Sequence, residues 1–473
     1  MKNRNYIYSK IIVLSGLLFI STVSCEREFS EDVAFATFPD TGEIFTDLPI
    51  GMGSDFYFPY GGSKPTAWTV DGENSYKGSA SMRFDVPNAD DLEGGYAGAI
   101  FRIDGAGSGR DLSGFDALTF WAKASIAVTI AEVGFGEDFG ENKYLTTLPN
   151  LDLTTNWIKY IIPIPDASKL IQERGMLRYA ASGIGEAGLE VGYSFWIDEL
   201  RFEKLGTIAQ PQPAIINGED VIEPGFVDSE INLYERGLTQ TFNLASGVNQ
   251  TVNITPSYFT FNSSDIEVAR VSELGIVSIL GNGNVTITAM IGGVKAAGSL
   301  TLEVGGDFEF APTPTLPQSD VISLFSDTYT NVFVDNHNPY WEGSTTLGEE
   351  TTISGQNIIS YTELNYVATV VTTTTPVNAS NMTHIHLDLL TPDAPANFII
   401  KIKDFGDDGV DGGGDDLEIA YTVPSSQITT DEWAVLDIPL SNFSGLNNKS
   451  NIGFIIIESG INTIYIDNIY YHK

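Results

Sequence analysis

Hydrolysis of a glycosidic bond requires two carboxyl groups held at a set separation across the bond. No Glu-x-Asp-x-x-Glu string occurs in the chain, and the nearest approach, Asp198–Glu203, has the wrong spacing. Gly-x-Ser-x-Gly and His-Glu-x-x-His are also missing. The four histidines are His337, His384, His386 and His472. His384 and His386, two apart, share one strand face, either as a metal pair or as part of a polar sheet surface. No further ligand stands nearby in sequence, which favours the polar surface. Catalysis is not expected.

Sugar binding asks for other groups. A pyranose has apolar C–H faces, which aromatic rings can carry, and a hydroxyl rim, which Asp, Asn, Gln or His can take. Trp341 fits best: Tyr340 precedes it, and Asn336, His337 and Asn338 lie just upstream in a Pro/Gly/Asn-rich stretch. Large rings on such segments are expected to bind. His384, His386 and Asp388 would line a groove on the same unit. Trp68, with Tyr57 and Tyr60, either binds or packs. Trp121 lies opposite the core face formed by Leu118, Phe120 and Ala122, so it faces either a binding surface or a covering loop. Trp157, Trp196 and Trp433 are expected to pack, since each belongs to a duplicated strand. The stretch "DFGDDGVDGGGDD" gathers Asp404, Asp407, Asp408, Asp411, Asp415 and Asp416 among glycines. It suits either a structural Ca²⁺ or a solvated acidic hairpin tip.

The elements that must position these residues are strands. The chain has 473 residues, of which 42% are hydrophobic and 11% aromatic, a globular composition. Period-two alternation between turn residues dominates, and the expectation is all-β. There are 62 acidic and 24 basic residues, net charge -38. Such a surface repels phosphate backbones and anionic lipid, which excludes nucleic acid as a partner and leaves neutral ligands open. At the N-terminus, a basic stretch, the apolar "IIVLSGLLFI" and "STVSC" read as a secretory signal, too short to span a membrane. Cys25 is the only cysteine, so no disulfide framework exists. Its place is that of a lipidated first residue; the alternative is a chance cysteine ending an ordinary signal peptide.

The expected division is 1–24 signal peptide, 25–36 tether, 37–207 first sandwich, 208–305 middle unit, 306–318 Pro/Thr linker and 319–473 second sandwich. "GTIAQPQPAI", Gly206–Ile215, reads as a Pro-bearing linker into the middle unit. The two sandwiches look like copies. "FWIDELRFEK" and "IYIDNIYYHK" close them, and "GFDALTFWAKA" answers "NMTHIHLDLLT". "IAEVGFGEDFG" answers "IIKIKDFGDDG", and "NWIKYIIPI" answers "EWAVLDIPL", in the same order.

These motifs resemble jelly-roll carbohydrate-binding modules. The last unit, with "SDVISLFSDTYTNVFVDNHNPYW", "MTHIHLDLLTPD" and "IYIDNIYYHK", is similar to a module appended to laminarinase-type glucanases and related surface glycan-binding lipoproteins. The middle unit, with "SSDIEVARV" and "GNVTITAMIGG", resembles a bacterial Ig-like repeat of group 2, a spacer. The expected architecture is thus two jelly-roll sandwiches separated by an Ig-like one. The resemblance implies a lipid-anchored protein on the outer-membrane surface that binds laminarin, a β-1,3-glucan, beside an outer-membrane glycan importer complex. The alternatives are an adhesive protein, or a binder of another neutral glucan. It further implies a structural Ca²⁺ held by Asp327 with Asp467, and by Asp40 or Glu43 with Asp198.

Overall fold

The structure is a computed structural model describing residues 38–105, 107–140, 143–185, 189–305, 308–348, 350–371 and 376–473. The signal peptide and Cys25 lie outside the described residues. Among those described, strands and short 3₁₀ turns are the only regular elements, as the alternating pattern predicted. No described helix is long and apolar enough to cross a membrane.

The duplication is real in three dimensions. The first closing strand, Tyr193–Glu203, lies between Ser81–Val86 and Ala117–Ala124, with Trp68–Asp71 and Ile158–Pro163 outside them. The second, Ile464–His472, lies between Gln356–Tyr361 and His384–Leu390, with Glu350–Ile353 and Ala434–Pro439 outside. A short early strand, Glu43–Phe45 or Val321–Phe325, pairs with the far end of each. Both closing strands bulge at the repeated Asp. The residue after it, Glu199 or Asn468, has φ of 51° or 54°, and its N–H donates to the Asp carboxylate at 2.7 or 2.6 Å. The register with the neighbouring strand slips there in both copies. A repeated bulge needs a short acceptor side chain, which explains why the sequence writes Asp twice.

Across each core lies a facing sheet. In the first sandwich it runs Thr146–Leu153, Val128–Phe135, Gly175–Ser182, Tyr96–Arg102, Tyr57–Pro59. In the second it runs Leu417–Val423, Phe398–Asp404, Ile452–Ser459, Tyr366–Val370.

The units are less separate than the sequence suggested. The edge strand Thr146–Leu153 pairs with Asn249–Ile254 of the middle unit, and Leu238–Asn243 and Ala209–Ile215 continue the same sheet to eight strands. The stretch expected as a linker, Gly206–Ile215, is therefore mostly a strand. Its two prolines are tolerated because the strand lies at the sheet's edge. The buried Tyr258 donates to Tyr144 O at 2.8 Å and bonds Thr146 Oγ1 at 3.0 Å, tying the first sandwich to the middle unit. The second linker is docked. Phe308 packs edge-on against Phe226 at 4.6 Å and Tyr465 at 5.6 Å, and Trp433 Nε1 donates to Glu309 O at 2.6 Å.

Candidate functional site

The segment carrying Trp341 runs along the edge of the facing sheet of the second sandwich. Asp335 N donates to Val370 O at 2.9 Å and Val370 N to Asn336 O at 2.7 Å. Asn338 is only 1% exposed. Its Nδ2 donates to Thr346 O and Gly348 O at 3.1 and 2.9 Å, and its Oδ1 accepts from Tyr340 N at 3.2 Å. Asn338 is a clamp on this loop and not a ligand group. His337 is likewise structural. Its carbonyl accepts from Tyr361 Oη, its ring stands edge-on to Phe325 at 5.3 Å, and burial pushes its pKa down to about 4.

The clamp delivers two rings to different places. Trp341 lies half-buried on the outer face of the facing sheet, edge-on to Phe454 at 5.3 Å. It packs over a buried apolar cluster of Ala368, Val370, Phe405, Phe454 and Ile456. Tyr340 has φ of 51° and lines instead a cleft against the middle unit.

Strand register sets what borders the cluster. Val370, Phe454, Lys403 and Glu418 form one cross-strand row; Ala368, Ile456, Lys401 and Ala420 form the next; Tyr366, Glu458, Ile399 and Thr422 form the third. Lys401 pairs with Glu458 and, at 3.4 Å, with Glu418. Lys403 pairs with Asp411 and, at 3.2 Å, with Asp416, and its Nζ stands 5.3 Å over the Phe454 ring. The half-buried Trp341 ring, seated on this buried floor, offers the apolar surface and the ammonium and carboxylate groups the polar rim, the two halves a pyranose requires. The sequence reading missed Lys401, Lys403 and Glu458. The signal was there: two lysines alternating within the apolar strand "FIIKIKD" of an acidic chain.

The other candidates of this unit are not brought to Trp341. His384, His386 and Asp388 lie on the closing-strand sheet, across the core. His384 stacks on His472 at 4.9 Å and His386 on Tyr470 at 4.4 Å, so these rings face each other. Asp388, 1% exposed, accepts from Asn468 Nδ2 at 2.9 Å, behind the bulge. The groove expected from these three does not form.

In the first sandwich, Tyr57 and Trp68 pack into the core end, at 5.1 and 5.3 Å from Phe101. Trp68 opens the strand Trp68–Asp71, which pairs with Ser81–Val86, so of the two roles left open for Trp68 and Tyr57 the structure shows packing. Trp121 is covered by a loop: Tyr76 stacks on it at 3.8 Å and 11°. Tyr60 alone of these lies on the facing sheet's outer surface, the counterpart of the Trp341 face. Its Oη donates to Glu137 at 2.6 Å, and Arg178 pairs with Glu137 at 3.0 Å and Glu132 at 3.1 Å.

The calcium expectation fits poorly. Among the described residues, no group of three or more His, Cys, Asp or Glu is arranged to hold a metal. Buried Asp198 accepts from Tyr76 N, Lys77 N and Glu199 N at 2.7 to 3.0 Å. Glu43 pairs with Arg201 at 3.5 Å, and Asp40 is exposed. Buried Asp404 accepts from Gly406 N and Asn451 N. Asp407 accepts from Asn448, Asp408 from Val410 N, Asp415 from Asp407 N, and Asp411 and Asp416 hold Lys403. The acidic loop is a hairpin tip whose carboxylates are held by its own backbone, by Lys403 and by Asn448 and Asn451 of the neighbouring segment, with Asp416 Oδ1 left buried without a partner among the described residues. Asp327 accepts from both nitrogens of Asn357. Burial, with the charges of Asp388 and Asp327 nearby, pushes Asp467 up to about 6.

The bacterial Ig-like domain (group 2) family matches residues 226–302. No curated protein matches the chain in sequence. Among solved structures the chain is similar to a family 30 carbohydrate-binding module, at 14% identity over 32% of this chain and 87% of that one, TM-score 0.25. A family 11 module from Clostridium thermocellum in complex with a β-1,3-1,4-mixed-linked tetrasaccharide is 19% identical over 32% and 95%, TM-score 0.24. A tandem of two family 22 modules from Paenibacillus barcinonensis is 12% identical over 92% and 99%, TM-score 0.20.

Proposed function

We propose that the protein is a non-catalytic binder of a neutral polysaccharide, and that the Trp341 face of the second sandwich is its principal site. The observation that carries this reading is the half-buried Trp341 ring on an outer sheet face bordered by Lys401, Lys403 and Glu458. The net charge of -38 favours an uncharged ligand. The finer reading rests on the sequence motifs of the last unit: the ligand is laminarin, and the protein is lipid-anchored through Cys25 at the cell surface, where it holds polymer for an importer. Weak single sites gain from repetition along the polymer.

Affinity electrophoresis with laminarin, mixed-linkage glucan and hydroxyethylcellulose tests it. Retardation is expected in laminarin, and Trp341→Ala should weaken it roughly thirty-fold, the scale of a central Trp in an interface. Full retention by Trp341→Ala moves the site elsewhere. Unchanged migration in every glucan removes the reading, and release of reducing ends on incubation removes its non-catalytic part.

A further inference from the structure

Where the middle unit meets the second sandwich there is a cleft of about 300 Å³. The middle unit lines one wall with Glu223, Glu230, Glu235 and Arg236, and the second sandwich lines the other with Tyr340, Glu350, Thr351 and Ser360. Three features set it apart from a packing defect.

First, its wall contains a partly buried charge pair. Arg236 reaches Glu223 through both terminal nitrogens, each at 3.3 Å, in a two-point fork. Burial raises the Glu223 carboxyl, and Arg236 pulls it back. Taking two ions out of water is costly unless their attraction and hydrogen bonds offset it. Both belong to the middle unit, so the pair does not bridge the junction. The junction is glued alongside by rings, Phe226, Phe308 and Tyr465. Second, Tyr340 enters the cleft from a left-handed backbone, uncommon for an aromatic residue, which the Asn338 clamp enforces. It stays 53% exposed there. Third, four carboxylates face one guanidinium, so an anion is repelled.

We propose that this cleft is a second binding site, for a short neutral saccharide or the end of a glucan chain. The Tyr340 ring supports the sugar face, and the Glu223–Arg236 fork takes vicinal hydroxyls. The volume, at the lower end for ligand pockets, suits a short oligosaccharide and not a long run of polymer. The proposal rests on the polysaccharide reading for its ligand class and on nothing at Trp341. It makes the middle unit part of a site and not only a spacer.

Calorimetric titration of the full chain with laminaritriose tests it, in parallel with laminarin retardation on gels. Tyr340→Ala, and Thr351→Trp, which fills the cleft from a partly exposed strand position, should each weaken triose binding at least ten-fold and leave laminarin retardation in place. Trp341→Ala should do the reverse. The cleft is overturned if wild type takes no triose. It is overturned equally if both cleft variants bind within two-fold of wild type, or if Trp341→Ala alone abolishes the triose signal. Loss of laminarin retardation with Tyr340-dependent triose binding would remove the Trp341 reading and keep the cleft.

Discussion

Glu173 shows how one buried group can set a pH dependence. It sits inside the first sandwich, where Oε1 accepts from Arg174 N at 2.9 Å and Gly175 N at 2.8 Å. Those two bonds favour the ionised form, but burial outweighs them and pushes the carboxyl up to about 7. In the unfolded chain it titrates near 4.3. Between those values the folded protein binds more protons than the unfolded one. Stability therefore falls as pH rises from about 4.3 to 7 and is flat above, losing on the order of 3 kcal/mol in all. Glu173→Gln keeps an oxygen acceptor for both N–H groups and removes the ionisation. Melting at pH 8 should rise by several degrees, and melting at pH 4 should not change. An equal gain at both pH values would assign the effect to packing.

Among the elements, the two closing strands fix both the bulges and the loop over Trp121. Each Asp of the repeat accepts the N–H that its bulge strands, and Asp198 also pins Tyr76 N and Lys77 N, the backbone of the loop lying over Trp121. Asp198→Ala leaves three donors to find other partners. The expected cost is about 3 kcal/mol, with Trp121 more accessible to acrylamide quenching. Unchanged melting and quenching would mean that the loop is held by the Tyr76 stack alone. Because Asp198 is occupied by three N–H groups, and no group of three or more His, Cys, Asp or Glu among the described residues is arranged to hold a metal, EDTA should leave thermal melting of the wild type unchanged; a clear drop would restore a structural metal. The same strands mark how far the sequence could be read. Their duplication was legible because alternation is local: Ile466 and Ile469 face the core, as Ile197 and Leu200 do. What lies over the opposite face was not, because it depends on loops distant in sequence. Trp121 and Trp341 share a residue type. One lies under Tyr76 from a loop some 45 residues earlier, and the other is itself the loop ring laid on a sheet. The divergence of Tyr340 from Trp341 turned on a single positive φ that no pattern announces.

At the scale of the whole molecule, the sheet shared by the first sandwich and the middle unit decides how the chain unfolds. Asn253 opposes Thr147 and Ile254 opposes Thr146, so the middle unit covers the first two residues of the edge strand Thr146–Leu153. The two units also share one continuous hydrophobic core, running from Ile44 to Val304, whereas the second sandwich has its own. Units that share a core melt together. Calorimetry should therefore resolve two transitions, one for 38–305 and one for the C-terminal sandwich, although three globular folds are present. A chain cut after Leu205 should melt below the first transition and self-associate, because the Thr146–Thr147 end of the edge strand is uncovered and Tyr144 and Thr146 lose Tyr258. A chain cut after Gly305 should melt where the first transition of the full protein does. If the 205 truncation stays monomeric and melts unchanged, the shared sheet is not what stabilises the first sandwich, and the middle unit is a spacer after all.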